Sequence, residues 1–211
     1  MASTSPINNH TMIIKCQSVC RRWLTNHNKG VTSSNLLNLN CHKNFITPKS
    51  QYDYYLENNA SEQILKYVSL QGKTFGEKYM EPLAAEWFSL DARTDSGHDH
   101  NKLNRRLEQK SARYHANGND WKWQHIEMNH QWEYLLLCGL DFKEIKFYIG
   151  SRTIVERLID EKIIEGQGKQ GSPQQGYWFT RCIFKTKNKD FNNYFKEVKN
   201  EKQLIRYLNL N

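Results

Sequence analysis

The chain has 211 residues, 38% hydrophobic and 25% charged, with 30 Lys and Arg against 22 Asp and Glu and a formal charge of +8. That length suits one domain with a small appended module, and no run approaches the roughly 18 apolar residues of a membrane-spanning helix. The positive balance and the 12% aromatic content point to a polyanionic partner, nucleic acid ahead of a membrane surface. The start, Met1-Ala-Ser-Thr-Ser-Pro-Ile7, lacks a signal-peptide core. The expected setting is the cytoplasm, or the nucleus if the source is a eukaryote or its virus.

In chain order, residues 1–11 are polar and unpatterned and read as a disordered tail. Residues 12–60 are expected to form a small helical module. Ile13, Cys16, Val19, Cys20, Trp23 and Leu24 recur at helical spacing. Asn26-His-Asn-Lys-Gly30 supplies a turn with Gly30 suited to a left-handed cap, and Thr32, Ser33 and Ser34 offer N-caps to a second helix through Leu36, Leu37 and Leu39. With Arg21, Arg22 and Lys29 nearby, the pair fits either a helix-turn-helix reader of duplex DNA or an αα-hairpin that only packs and makes a dimer contact. The five cysteines, irregularly spaced, read as reduced thiols. Cys16, Cys20, Cys41 and His42 have the residue types of a zinc cluster but not a recognised spacing, and Cys16 and Cys20 equally fit one apolar helix face. Thr47-Pro-Lys-Ser-Gln51 reads as a connector.

The main domain is expected over residues 61–211. Ser61 opens a helix through Ile64, Leu65 and Val68 that Gly72 breaks. A second helix runs from about Thr74 to Phe88, with Phe75, Tyr79, Leu83, Ala84 and Trp87 on its apolar face and Pro82 kinking it or starting a new first turn. Glu77, Glu81 and Glu86 lie on this helix. A Ser96-Gly97 turn then leads to Asp99. Leu107-Glu-Gln-Lys-Ser-Ala112 reads as a strand, so Glu108 and Lys110 share one face while Leu107 and Gln109 take the other. Asp99, nine residues before Glu108, sits where a hairpin partner would present it beside that glutamate. Two hard carboxylates with a lysine next door suit Mg²⁺ and the activation of a water.

Beyond a polar turn over 114–120, Trp121 to Ile126 alternates as a strand, with Trp121, Trp123 and His125 on one side and Lys122, Gln124 and Ile126 on the other. Gln124 is placed as a contact to DNA phosphate or to the water shell of the ion, or as a bond to a neighbouring loop. Gln131 to Cys138 is expected as a buried helix closed by Gly139, Ile145 to Ile149 as a core strand, and Thr153 as the start of a helix through Ile154, Val155, Leu158 and Ile159. Strands on both sides of a helix predict a mixed sheet with a parallel crossover. Between Gly166 and Gly176, Lys169, Gln170, Gln174 and Gln175 fill a glycine-rich loop that is not a Walker A loop, because Gly168-Lys169 is followed by Gln170. Glutamine amides pair with adenine and lysine with guanine or phosphate, so the loop reads either as one that orders on DNA or as plain surface. A strand over Tyr177 to Phe184 and a basic, Asn-rich tail with a short helix from Glu201 to Leu208 complete the chain.

The D-x8-E-x-K pattern of Asp99, Glu108 and Lys110 on a hairpin, preceded by a glutamate-bearing helix, resembles the PD-(D/E)xK nuclease superfamily, and in detail its type II restriction-endonuclease branch. Gly97-His98-Asp99 stands where the family has PD, without the proline, and Glu108-Gln109-Lys110 stands for ExK. The resemblance spans roughly Gly72 to Phe184. It implies an α/β (α+β) fold with a restriction-endonuclease-like core, a mixed central sheet flanked by helices. It also implies a Mg²⁺-dependent, site-specific endonuclease that hydrolyses double-stranded DNA as a homodimer. Asp99, Glu108, Lys110 and Glu77 would be catalytic, with Glu81 one turn on as the substitute for Glu77. Mg²⁺ would be held by Asp99, Glu108 and the carbonyl of Gln109. Alternatives are a homing or repair nuclease of the same superfamily, and a non-catalytic DNA-binding protein in which Glu108 and Lys110 are a structural ion pair. His98 and His100 flank Asp99 and raise an HNH-like or zinc-hydrolase site, for which no downstream Asn or His falls at the required spacing.

Overall fold

The computed structural model describes residues 49–115, 120–167, 176–180 and 191–210. Helix α1 (Lys49–Glu57) and helix α2 (Glu62–Val68) lead into a π-helix (Thr74–Met80) and helix α3 (Glu81–Phe88). Ser61 caps α2 as its residue type predicts, its Oγ accepting from the Ile64 N–H at 3.4 Å. Pro82 occupies the first turn of α3, where a missing N–H is no loss. The turn before it is widened: the Glu81 N–H reaches back to the Gly76 carbonyl, a π-type bond. Each widened turn inserts a residue, so the single straight helix expected over 74–88 is instead two pieces with shifted faces. Helix α1 forms where the sequence reads as a connector and a Tyr-rich stretch. Its anchor is Tyr55, fully buried, whose hydroxyl donates to the Leu140 carbonyl (2.8 Å) and accepts from the Tyr114 N–H (2.8 Å).

Strands β1 (Asp91–Ala92), β2 (His100–Lys102), β3 (Arg105–His115), β4 (Asp120–Ile126), β5 (Tyr134–Leu140), β6 (Ile145–Ser151), β7 (Glu165–Gly166), β8 (Tyr177–Thr180) and β9 (Lys196–Glu197) make one open mixed sheet. Its order is β7-β8-β4-β3-β5-β6-β9, with β2 on β3 and β1 on β2. Strand β3 is the pivot. It pairs in parallel with β5 from Leu107 to Arg113, and across from β5 it pairs antiparallel with β2 at its start and with β4 at its end. Between those two pairings, from Glu108 to Arg113, that edge of β3 has no strand beside it among the described residues.

Helices flank both faces. On one, helix α4 (Arg152–Asp160) and helix α5 (Phe191–Tyr194) cover a core of Trp121, Trp123, Leu135, Leu137, Tyr148 and Phe179. On the other, Phe88 of α3 meets Phe147 edge-on at 5.1 Å, and the Arg113 guanidinium lies 4.2 Å over the Phe75 ring. Helix α6 (Glu201–Leu210) forms where the tail was expected to be helical. No helix among the described residues is long and apolar enough to cross a membrane.

Four further expectations are corrected. The buried helix expected over Gln131 to Cys138 is strand β5. It lies mid-sheet with both faces covered, so its apolar run has no alternation to reveal it. Gly139 ends no helix: a Cβ there would lie 2.8 Å from the Trp121 ring, and glycine makes room for the indole. The parallel β3–β5 pairing therefore comes without a crossover helix, through β4 and the segment 127–133. In β4 the alternation fails after Trp123. A register shift between Trp123 and Ile126, with His125 at φ 57°, exposes His125 and turns Ile126 into the core.

The disordered stretch expected over residues 1–11, the two helices expected between Ile13 and Leu39, the Cys16, Cys20, Cys41 and His42 cluster, and Lys169, Gln170, Gln174 and Gln175 all lie outside the described residues.

Candidate active site

Leu103 and Asn104, at φ 52° and 59°, form the tight turn joining β2 to β3 and fix the hairpin register. That register places Asp99 immediately before β2, where two bonds pin it: its N–H donates to the Leu107 carbonyl (3.0 Å) and its Oδ2 accepts from the Gln109 N–H (2.7 Å). Asp99 thus straddles Glu108 on the open edge of β3. A strand residue turns its N–H and C=O toward the same neighbour, so the Gln109 carbonyl is directed to the side where Asp99 lies. The turn before Asp99 is held by His98. Its fully buried ring donates from Nε2 to Asn101 Oδ1 (3.0 Å) and lies 3.1 Å from Asp95 through Nδ1. His100 likewise spends Nε2 on Gln109 Oε1 at 3.0 Å. One ring nitrogen of each histidine beside Asp99 is thus engaged within the hairpin, at Asn101 for His98 and at Gln109 for His100.

Glu108 and Lys110 share a face, as strand alternation demands. The Lys110 ammonium donates to Glu108 Oε1 at 2.6 Å, with the Glu108 side chain 5% exposed and that of Lys110 19%. Burial pushes the Glu108 carboxyl above the usual carboxylate range; Lys110 draws it down and Asp99 raises it again. At the start of α3, burial pushes Glu81 up to about 7, reinforced by Asp99 and Glu77 and opposed by Lys110. The charge of Asp99 thus acts on both Glu81 and Glu108, and Lys110 opposes it at each. Like charges in a partly desolvated site resist ionisation. A cation entering there would relieve that repulsion.

Glu77, expected to bring the helix's carboxylate to the site, is instead 56% exposed and lies 3.7 Å from Lys73. Glu86 is exposed. Gln124 sits on the exposed side of β4, with Trp121 and Trp123 on the other. Trp121 pairs with Tyr114, which shares the face of Glu108 and Lys110, so Gln124 belongs to the opposite face and is not gathered with the carboxylates. One residue near the cluster has no sequence signal: His130, on the 127–133 segment, 2.7 Å from Glu127 Oε2 and acting to lower the Glu108 pKa. Only the return of that segment across β3 brings it there.

Among the described residues no three or more His, Cys, Asp or Glu side chains are gathered closely enough to hold a metal by themselves. The oxygen groups near one another here are the carboxylates of Asp99 and Glu108, which interact electrostatically with each other and with Glu81, and the Gln109 carbonyl, which is directed to the side of β3 on which Asp99 lies. All are hard oxygen donors, the set that suits Mg²⁺ rather than zinc.

The Glu81 shift has a stability signature. A carboxyl whose pKa rises from 4.5 to about 7 on folding is protonated in the folded chain while ionised in the unfolded one across that interval. Stability therefore falls as pH rises from about 4.5 to 7 and levels off above. Glu81→Gln is expected to raise the thermal midpoint above pH 7 and leave it unchanged below pH 4.5. Melting curves that coincide above pH 7 would place Glu81 in ordinary solvent.

A scan against protein-family models finds no match, and a search of curated proteins finds none either.

Proposed function

We propose that this chain is a Mg²⁺-dependent endonuclease of the PD-(D/E)xK type that hydrolyses phosphodiester bonds in double-stranded DNA, with the mixed sheet and its flanking helices as a restriction-endonuclease-like core. The observation that carries this reading is the hairpin geometry: Asp99 bonded to the Gln109 amide, Glu108 between them, and Lys110 on Glu108 at 2.6 Å. Asp99, Glu108 and the Gln109 carbonyl would hold the ion, and the excess of carboxylate over ammonium gives the site the charge to attract it. Bound Mg²⁺ supplies Lewis-acid polarisation of the scissile phosphate and a water of lowered pKa. Lys110 would orient the attacking water and, as an ammonium, offset the charge that develops on the phosphoryl oxygens; only in its neutral form, with its proton passed on, would it take the proton of that water. Glu81, close to neutral pH in its titration, takes the supporting place first given to Glu77. The formal charge of +8 fits a polyanionic substrate. Cutting both strands calls for two such sites, so a homodimer belongs to the proposal.

The test is conversion of supercoiled plasmid to nicked and linear forms with Mg²⁺ and not with EDTA. Discrete fragments from long DNA would mark site-specific cutting. Full DNA binding without cutting under any divalent ion would favour the non-catalytic alternative, with Glu108 and Lys110 as a structural pair.

A further inference from the structure

The face of β3 opposite Glu108 and Lys110 carries a buried polar chain that no step of the proposed reaction uses. His100 and Gln109 are 5% and 3% exposed. Their side chains meet at 3.0 Å, and the Gln109 amide nitrogen donates on to Ser111 Oγ at 3.3 Å. Gln109 Oε1 only accepts, so His100 Nε2 carries the proton in this contact. Beyond Ser111 lies the fully buried Cys138 thiol, which Ser111 also reaches. Buried polar groups of this kind are retained where they fix a geometry that apolar packing would leave free.

What they fix is specific. Gln109 has two attachments to the strand before it, its backbone N–H on Asp99 Oδ2 (2.7 Å) and its side chain on His100 (3.0 Å). β2 begins at His100, so beyond Leu107 no backbone ladder ties the two strands on this edge. We propose that His100 is a positioning residue: through the Gln109 side chain it holds the Gln109 backbone against the Asp99 carboxylate, and so sets where that carboxylate and the Gln109 carbonyl meet. His100 touches neither substrate nor ion in this account. The inference deepens the nuclease reading, which supplies its functional consequence.

Hydrogen exchange of the Gln109 amide, followed by ¹⁵N NMR on the full chain without metal, reads that contact directly. His100→Phe keeps an aromatic ring and removes the donor. It is expected to speed exchange at Gln109 at least tenfold, toward the rate in Asp99→Ala, while the Leu137 amide in mid-sheet stays slow. His100→Gln restores a donor and is expected to recover most of the protection. Gln109→Met removes the same bond from the other side and should match His100→Phe, which keeps the test usable if one variant folds poorly. Protection of the residue-109 amide equal to wild type in both variants would overturn the role. Fast exchange at that amide in a chain that neither binds Mg²⁺ nor nicks DNA would support the role and sink the nuclease reading alone. With Mg²⁺ bound, the same variants are expected to need about tenfold more ion for half-saturation.

Discussion

Alanine at Asp99 or at Lys110 is expected to lower Mg²⁺-dependent nicking by on the order of 10²–10⁴-fold, the range for loss of an acid–base or charge-stabilising group, while DNA binding in EDTA or Ca²⁺ stays near wild type. The two losses have different causes. Asp99→Ala removes an ion ligand and the acceptor of the Gln109 N–H, so both the ion and the local strand geometry loosen. Lys110→Ala leaves Glu108, 4% exposed, without the ammonium that pairs with it. Its carboxyl, already raised by burial, then rises further and yields less readily to Mg²⁺. Lys110→Arg separates charge from shape: a planar fork replaces a compact ammonium that sits 2.6 Å from Glu108 Oε1, and partial activity is expected. Both alanine variants cutting at the wild-type rate would show that the hairpin does no chemistry.

The second large effect is on stability. Trp123 is fully buried and donates from Nε1 to the Cys138 carbonyl at 2.8 Å. It stacks on Trp121, Phe179 and Phe191 at ring separations of 6.0, 6.3 and 6.0 Å. Trp123→Ala empties the middle of that stack and is expected to destabilise the fold by about 3–5 kcal/mol, from lost transfer energy and the cavity left behind. Trp178 on the next strand is the control. Its ring is only half-buried under the Lys122 ammonium (4.1 Å), and alanine there should lose no more than about 1 kcal/mol. Urea denaturation of the two variants measures the difference. Equal losses would mean that the aromatic layer is not the centre of the core.

Much of the site's local frame is legible in the sequence. The nine-residue spacing from Asp99 to Glu108 and strand alternation suffice to put Asp99, Glu108 and Lys110 on one hairpin, because both signals depend on short-range backbone geometry. Ser61 as a cap and Pro82 as a first-turn residue were legible for the same reason. The failures arise where tertiary context decides. Tyr134 to Leu140 is apolar at every position because the sheet covers both faces, and a short apolar run carries no period to tell strand from helix. Gly139 signals a stop to a reader of sequence, yet the Trp121 ring is what excludes a side chain. The face that His125 takes turns on one bulge. Single-residue insertions of this kind leave no periodic trace in a chain of this composition. The His100 to Ser111 chain was equally invisible, since its partners meet only once β2 folds back on β3.

The most direct measurement is the position of a divalent ion. Crystals of the full chain grown with Mn²⁺ as a stand-in for Mg²⁺ locate it by anomalous scattering. The account predicts a peak at bonding distance from Asp99, Glu108 and the Gln109 carbonyl, lost in Asp99→Ala. An ion bound elsewhere, or none at that hairpin at saturating Mn²⁺, would contradict it.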